Sequence, residues 1–322
     1  MGQGEITAVV GNFQGEAVLG DCLQSLAEQT RAPRSVIVVD AGSTDRSASV
    51  AERFGAAWLR TENRGVGWLY NVGARAAATP LVLLCNNDVA FEPECLELLA
   101  AALEQDTIGF AADPTQLAWE GGTVIHARTE ISRGPLLRQP LPGFRVDQTV
   151  PATDVVPTLF ANGAAMLVCR ERLLALGGFD ESFFMEFEEI DVCVRAWLRG
   201  WTTVYVPEAR VRHHVASTTG RERAQRRRVA SAHYNLIRFA LKCLPVRGVA
   251  RVLAGELLRL PAHPLLVAPA FARAAGCLRE ILRERATVQP SGATFEWLLA
   301  GQPAGTSPLK SSASRSIRRA IG

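Results

Sequence analysis

The stretch LVLLCNND, Leu81 to Asp88, decides how this chain is read. Leu81, Val82, Leu83, Leu84 and Cys85 form an apolar run too unbroken for a strand with one face in water, so the run predicts a central strand buried on both sides. It stops abruptly at Asn86, Asn87 and Asp88. Ligands of open α/β sheets gather at the carboxyl ends of the strands, and a carboxylate beside two amides is placed there to meet one. The hard oxygens of Asp88 suit Mg²⁺ or Mn²⁺, with the cation bridging to a substrate phosphate. Taken alone, the triplet is also an ordinary turn.

Outward from this stretch the same form recurs. Ile6 to Val10 is a β-branched run ending at Gly11 and Asn12, and Val18, Leu19, Cys22, Leu23 and Leu26 give helical spacing within 16–29. Val36 to Val39 predicts a second strand that stops at Asp40. In the following DAGSTDRS, which contains Asp45, Ser43 or Thr44 is the expected cap of a helix through Ser47 to Phe54. Ala57 to Leu59 is a third short strand, ENRGVG a loop and Trp68 to Ala78 an Ala-rich helix. This alternation predicts a mainly parallel, Rossmann-like α/β sheet flanked by helices. Beyond Asp88, a helix is expected from Pro93 to Glu104. Residues 110–156 are rich in Gly and Pro and show strand character only near Thr123 to Ala127. Pattern returns in ANGAAMLVC, in a short helix from Arg170 to Leu176 ended by Gly177 and Gly178, and in FEEIDVCVRAWLRG. There Ile190, Val194, Trp197 and Leu198 share a helical face. A strand over Thr203 to Val206 leads into RVRHHVAS.

With 322 residues, 48% hydrophobic and 21% charged, the chain can bury one large α/β core with an appendage. The expected division is a domain over 1–217, with halves 1–110 and 111–217, a helical extension over 218–289 and a flexible basic tail over 290–322. The net charge of +3 says little about partners. Its distribution says more, because Arg210, Arg212, Arg221, Arg223, Arg226, Arg227 and Arg228 stand against the single acid Glu222, and the tail carries Lys310, Arg315, Arg318 and Arg319. Such asymmetry suits anionic lipid headgroups or phosphates, and no nucleic-acid partner is expected. Val249, Val252, Leu253, Leu257 and Leu260, interleaved with Arg247, Arg251 and Arg259, read as a basic amphipathic helix, and a second is expected over Phe271 to Arg285. Such helices either lie on a membrane or pack on the body. Seven scattered cysteines match no metal or disulfide spacing and read as buried hydrophobes in a reducing compartment. No signal peptide is visible, and Leu260 to Ala272 is too short and proline-rich to span a bilayer. The expected location is cytoplasmic, peripheral on the inner face of the plasma membrane.

Four polar pieces, Asn12, Asp40 to Asp45, Asn63 to Asn71 and Asn86 to Asp88, thus fall on one rim of a single sheet, where one nucleotide diphosphate could touch them all. In order, VVGNF, VDAGSTDRS, ENRGVGWLYNVG, LLCNNDV, NGAAMLVCR, GGFDESFFMEFEEIDVCVR and VRHHVAS resemble the family 2 glycosyltransferases of GT-A fold, especially the rhamnosyltransferase-like and galactofuranosyltransferase-like members. The resemblance covers Ile6 to Ser217. It implies an inverting, metal-dependent enzyme that moves a sugar, rhamnose as first choice, from a UDP- or dTDP-sugar to a glycan or lipid-linked acceptor in cell-surface polysaccharide assembly. Asp40 would accept the imide N–H of uracil or thymine. Asn63 and Arg64 would help hold base and phosphates, Gly65 and Gly67 would let the backbone pass close to the donor, and Asn71 would be a second polar contact. Asn86, Asn87 and Asp88 stand where the family carries its DxD-like motif, with Asp88 as ligand of Mg²⁺ or Mn²⁺. The resemblance implies that the acidic helix start would hold the general base among Glu188, Glu189 and Asp191, with Glu189 favoured by motif position. His213, or its neighbour His214, would join the metal. Gly177, Gly178, Phe179 and Asp180 would form a turn at the acceptor cleft.

Competing readings are a nucleotide-sugar-binding pseudoenzyme, a membrane-surface adaptor and a nucleotidyltransferase. The last is disfavoured because GNFQGEAV offers no Lys or Arg to a triphosphate.

Overall fold

The structure, a computed structural model, describes residues 5–131, 144–147, 154–214 and 222–288. Its first half alternates as the apolar pattern predicts, in the order β1 (Ile6–Asn12), α1 (Leu19–Ala27), β2 (Ser35–Asp40), α2 (Ser47–Arg53), β3 (Ala57–Arg60), α3 (Val66–Ala76) and β4 (Leu81–Asn86). The pairings β1 with β2, β1 with β4 and β2 with β3 are all parallel. Along β4, Val82 and Leu84 enter one core while Leu81, Leu83 and Cys85 enter the other. Period-two alternation in a strand covered on both faces gives this division. Leu19 and Leu23 of α1 and Val50 of α2 cover one face, and Leu69 and Ala74 of α3 cover the opposite one.

The second half contains β5 (Val89–Phe91), α4 (Cys95–Gln105), β6 (Gly109–Ala118), β7 (Val124–His126), β8 (Arg128–Ile131), β9 (Phe144–Asp147), β10 (Val156–Pro157), β11 (Ala165–Cys169), α5 (Arg170–Ala175), α6 (Glu188–Leu198) and β12 (Thr202–His213). The sheet runs β10-β12-β6-β11-β4-β1-β2-β3, with β5 added to β12 and β7 to β6, while β8 and β9 pair separately. β11 is antiparallel to both β4 and β6, and β12 is parallel to β6. The carboxyl ends of β1, β2, β4, β6 and β12 therefore share one rim with the start of β11.

Four local expectations are corrected. β6 forms in a stretch where strand character is expected only near Thr123 to Ala127, and its register with β12 breaks between Val206 and Arg210, opposite Pro114 and Thr115. A proline is tolerated at such an irregularity because no ladder hydrogen bond is asked of it. For the same reason β12 does not end at Val206 but passes Pro207 and continues to His213. At α2, Ser43 is drawn to Asp40, and the Asp45 carboxylate accepts the backbone N–H of Ser47 at 3.1 Å in its place. The expected helix over 271–285 is two helices that meet at Cys277.

The last elements are α7 (Glu222–Cys243), α8 (Val246–Arg259), α9 (Pro264–Gly276) and α10 (Leu278–Thr287). Leu236, Phe239, Ala240 and Cys243 of α7 and Val252 of α8 lie in the same core as α6. A boundary at 217/218 therefore separates in sequence what is joined in space. Of the face read as amphipathic, Val252 is buried and Leu253 packs on the cluster of Tyr234, Ile237, Ala270 and Ala274. Among the described residues no helix is long and apolar enough to cross a membrane. The seven cysteines are unbridged, and five are buried. The tail over 290–322 and the side chains of the arginine cluster at 221–228 lie outside the described residues.

Helix α3 approaches β1 so closely that a Cβ on Gly73 would lie 2.1 Å from Val9 Cγ1. Val9 is a stiff side chain in a central strand and cannot move aside. Gly73→Ala should therefore cost about 1–3 kcal/mol despite the better helix propensity of Ala, read as a lower urea midpoint at unchanged slope.

Candidate active site

At the rim, Asn87 Nδ2 donates to Asn12 Oδ1 at 2.7 Å, and Asn12 Nδ2 donates to Asp40 Oδ1 at 2.9 Å. Asp40 is fully buried and also accepts from the Ser43 hydroxyl and from the backbone N–H groups of Gly42 and Ser43, at 3.0 and 2.8 Å. A carboxylate has about four acceptor positions, and all of them are engaged. Asp40 thus organises its own loop, a correction to its expected contact with a base. Beyond it, Asp45 accepts from the Ser47 hydroxyl and from Glu16 N at 2.9 Å. Burial pushes the Asp45 carboxyl up, but these bonds from Ser47 and Glu16 outweigh it and hold it below its ordinary range. Asp45 ties the first loop to the second.

The next loop divides in two. Asn63 and Arg64 are exposed, with the Arg64 guanidinium 3.9 Å over the Trp68 ring and 3.3 Å from Glu181. Gly65 has φ +102°, and a Cβ there would stand 2.1 Å from the Phe184 carbonyl, so only glycine fits. Asn71, expected as a donor contact, is buried instead: it accepts from Phe179 N at 2.8 Å and donates to Phe179 O at 2.9 Å and Glu181 at 3.0 Å. It fastens the Gly177 to Glu181 turn to α3.

Asp88 and His213, far apart in sequence, are brought together. His213 Nε2 lies 3.3 Å from Asp88 Oδ1, and their side chains are 14% and 8% exposed. Pairing of β12 with β5 sets His213 opposite Val89, which fixes this approach. His214 turns the other way, donating its N–H to Asp88 O at 3.0 Å while its ring stacks on Trp119 at 3.6 Å. Of the two histidines, His213 is the one whose ring approaches the Asp88 carboxylate.

Across the rim stands the acidic start of α6, entered through Glu186 and Phe187, both with left-handed backbone at φ 69° and 75°. Two consecutive non-glycine residues in that region are strained. Buried Asn235 of α7 holds them by donating to Met185 O at 2.8 Å and Glu186 O at 2.7 Å. Of the three acids, Asp191 is corrected out of the set of bases. It is fully buried, with Arg195 Nε at 2.7 Å and Lys242 Nζ at 2.7 Å, and an ion pair inside the core cannot reach a substrate hydroxyl. Glu188 is buried beside Gly67, and Glu189 is half-buried against Gly163.

Two groups without a sequence signal complete the arrangement. The Tyr70 hydroxyl is 2.6 Å from the Gly163 carbonyl and 3.0 Å from the Asn86 side chain. Its one hydrogen serves Gly163, so the Asn86 amide fits best with its nitrogen turned toward the phenol. Burial, Cys85 and the carboxylates of Glu188, Asp88 and Glu189 push the Tyr70 phenol well above its ordinary range, so both acidic arms converge on one neutral hydroxyl. Behind it, buried Asp113 accepts from Asn162 N at 3.0 Å and meets His126 Nε2 at 2.9 Å, which fixes the loop carrying Gly163. Tyr70 lies inside a quoted motif but reads there as helix packing, Asp113 lies in a stretch without pattern, and His126 reads as part of the strand expected near Thr123 to Ala127.

A family model described as glycosyltransferase like family 2 matches residues 3–232. The chain belongs to that family. An N-acetylglucosaminyl-diphospho-decaprenol L-rhamnosyltransferase of Mycobacterium tuberculosis is 30% identical over 227 residues, covering 63% of this chain and 73% of that protein. The O-antigen biosynthesis protein RfbC of Myxococcus xanthus is 24% identical over 214 residues, 62% of this chain and 16% of its own length. Among solved structures, GalNAc-T7 with UDP, GalNAc and Mn²⁺ superposes with a TM-score of 0.67 at 14% identity, over 93% of this chain and 56% of that one. The mannosyltransferase PcManGT of Pyrobaculum calidifontis, with GDP-Man and Mn²⁺, gives 0.52 at 18% identity, over 92% and 87%. These likenesses establish the GT-A fold, and the chain is a glycosyltransferase of that fold with a C-terminal helical region.

In this glycosyltransferase Asn12→Ala would orphan the buried Asn87 amide N–H and take away one of the four donors to buried Asp40, whose Oδ1 keeps only the Ser43 hydroxyl. A loss of about 1–3 kcal/mol in unfolding free energy is expected by urea denaturation. Asp180, in the turn held by Asn71, is paired with Arg238 at 2.8 Å and with Lys242. Burial raises the Asp180 carboxyl, but Lys242 and Arg238 outweigh it and hold it far below the ordinary range. With the folded value below the unfolded one, about 3.9, the stabilisation is present above that pH and is lost as pH falls toward the folded value. Stability curves should therefore drop below about pH 4 in the wild type, with that part of the slope missing in Asp180→Asn.

Proposed function

We propose that this glycosyltransferase moves a sugar from a UDP- or dTDP-sugar to a glycan or lipid-linked acceptor with inversion, aided by a divalent cation. The observation that carries the proposal is the approach of Asp88 to His213, facing Glu189 across the Tyr70 hydroxyl. One carboxylate oxygen and one imidazole nitrogen at a cleft rim suit Mn²⁺ well and Mg²⁺ through the carboxylate, with substrate phosphates supplying further oxygens. When bound, the cation would neutralise charge on the departing diphosphate. Glu189, half-buried at a helix start, would take the proton of the acceptor hydroxyl. The oxygen then attacks the anomeric carbon as its bond to the diphosphate breaks, with one displacement and one inversion.

Tyr70 would hold Gly163 and Asn86 in register between the two arms. Asn63 and Arg64 present the exposed polar surface for the nucleotide, buried Gly65 lets their loop pass against Phe184, and Asn12, Asp40, Asp45 and Asn87 shape the rim beneath it. Support for rhamnose as the sugar, and for a polyprenyl-diphosphate-linked acceptor, comes from the mycobacterial relative's name.

Donor turnover, followed by release of UDP or dTDP with and without Mn²⁺, tests this assignment. Asp88→Ala should abolish cation-stimulated turnover. Glu189→Gln should lower kcat by about 10²-fold or more while nucleotide binding is retained. Full activity in Glu189→Gln would move the base to Glu188. Nucleotide binding without turnover by the wild type across a donor panel would favour the pseudoenzyme.

A further inference from the structure

Of the apolar face that the sequence pattern of α8 picks out, Val252 and Leu253 are turned inward, yet Leu257 faces solvent together with a further apolar row. Val246, Leu257 and Leu258 are 78%, 55% and 57% exposed, with exposed Ala250 and Ala254 between them. At 3.6 residues per turn, Val246, Ala250, Ala254 and Leu257 fall within about a quarter of the circumference. The turn into α9 continues the surface, for residues 261–265 are all exposed and Leu265 reaches 88%.

Charge around this row is of one sign. From Leu244 to Arg279 the chain has Arg247, Arg251, Arg259, Arg273 and Arg279 against a single acid, Glu256. Glu256 is fully buried, where His233 meets it at 2.6 Å and Arg259 at 2.8 Å. Arg247 and Arg251 stand exposed on the flank of the row. Exposed branched aliphatics beside arginines, with no exposed acid in the segment, are the surface chemistry of a helix that lies in a lipid interface.

We infer that the outer face of α8 and its turn into α9 docks this enzyme on a membrane surface bearing anionic phospholipid headgroups. Leu257, Leu258 and Leu265 enter the boundary between headgroups and acyl chains, and Arg247 pairs with a phosphate while its stem lies along the apolar surface. A second copy across a two-fold axis fits less well, because an isologous contact sets Arg247 against its own equivalent. Residues 290–322 of the same chain fit less well too, since Lys310, Arg315, Arg318 and Arg319 add like charge. This face extends the proposed reaction at a lipid-linked acceptor by naming what meets the bilayer, and its binding is measured without turnover.

The test is co-sedimentation of the full chain with vesicles of phosphatidylglycerol and phosphatidylcholine, against phosphatidylcholine alone, at low and high salt. The wild type should partition onto anionic vesicles at least about tenfold better than onto neutral ones, with the difference shrinking in high salt. A triple variant Leu257→Ser, Leu258→Ser, Leu265→Ser, and separately Arg247→Glu, should each reduce that partition about tenfold or more at unchanged Tm. Equal binding to neutral and anionic vesicles, or variants that bind like the wild type, would overturn the assignment. So would a wild-type dimer that the serine variant splits while lipid binding persists, since a second copy would then cover the face.

Discussion

Three strand ends are tied together by one buried chain of hydrogen bonds, from Asn87 through Asn12 to Asp40. An amide is needed in the middle because it donates at one end and accepts at the other, which no hydroxyl or carboxylate of that length does in both directions. The relay is packed so closely that a Cβ on Gly15 would lie 2.1 Å from both Asn12 Oδ1 and Asn87 Nδ2. Parallel pairing in register brings Asn12 beside Asp40 and Gly11 beside Asn86, so the loops converge as soon as the sheet forms. In a low-dielectric rim each link is strong when made and costly when broken. That asymmetry holds Asp88, which carries no role in the relay, at the cleft.

The opposite wall is held by different means. Glu188 and Glu189 begin a helix whose entrance is strained at Glu186 and Phe187, and the constraint comes from α7, through Asn235 and through Phe239 packed on Phe187 at 5.8 Å. Arg195 fastens the same helix to the Leu176 and Gly178 carbonyls at 2.8 and 2.7 Å, and Lys242 joins Asp180 to Asp191. Four acids that look alike in sequence thereby take different parts. Asp180 and Asp191 pair with cations inside the protein, while Glu188 is buried beside Gly67 and Glu189 is half-buried against Gly163. Helix α7 is accordingly a piece of the glycosyltransferase, with α8 to α10 built outward from it.

Much of the architecture was legible because hydrophobic periodicity records which faces are buried, and because β-branched runs ending in Asn or Asp mark strand ends wherever they fall. The seven motifs carried the family, and the acidic helix start and the Asp88 rim were both visible as residue types. Local chemistry also misled where it usually informs. Asp113 with Pro114, and Pro207, mark turns in most chains, but here they sit where β6 and β12 lose register, so the ladder asks nothing of the prolines. Asp40, Asn71 and Asp191 carry the same functional groups as true ligand contacts, and only burial with saturated partners tells them apart.

By itself, then, the amino-acid order determined the alternating α/β plan, the polar rim and the family, since each depends on spacing within a few tens of residues. Tertiary structure alone decided that His213 rather than His214 approaches Asp88, that Tyr70 stands between the acidic arms, and that the inner face of α8 packs while an outer one stays in water. Those outcomes rest on which side of a strand or helix meets a partner up to 125 positions away, and no local pattern encodes that distance.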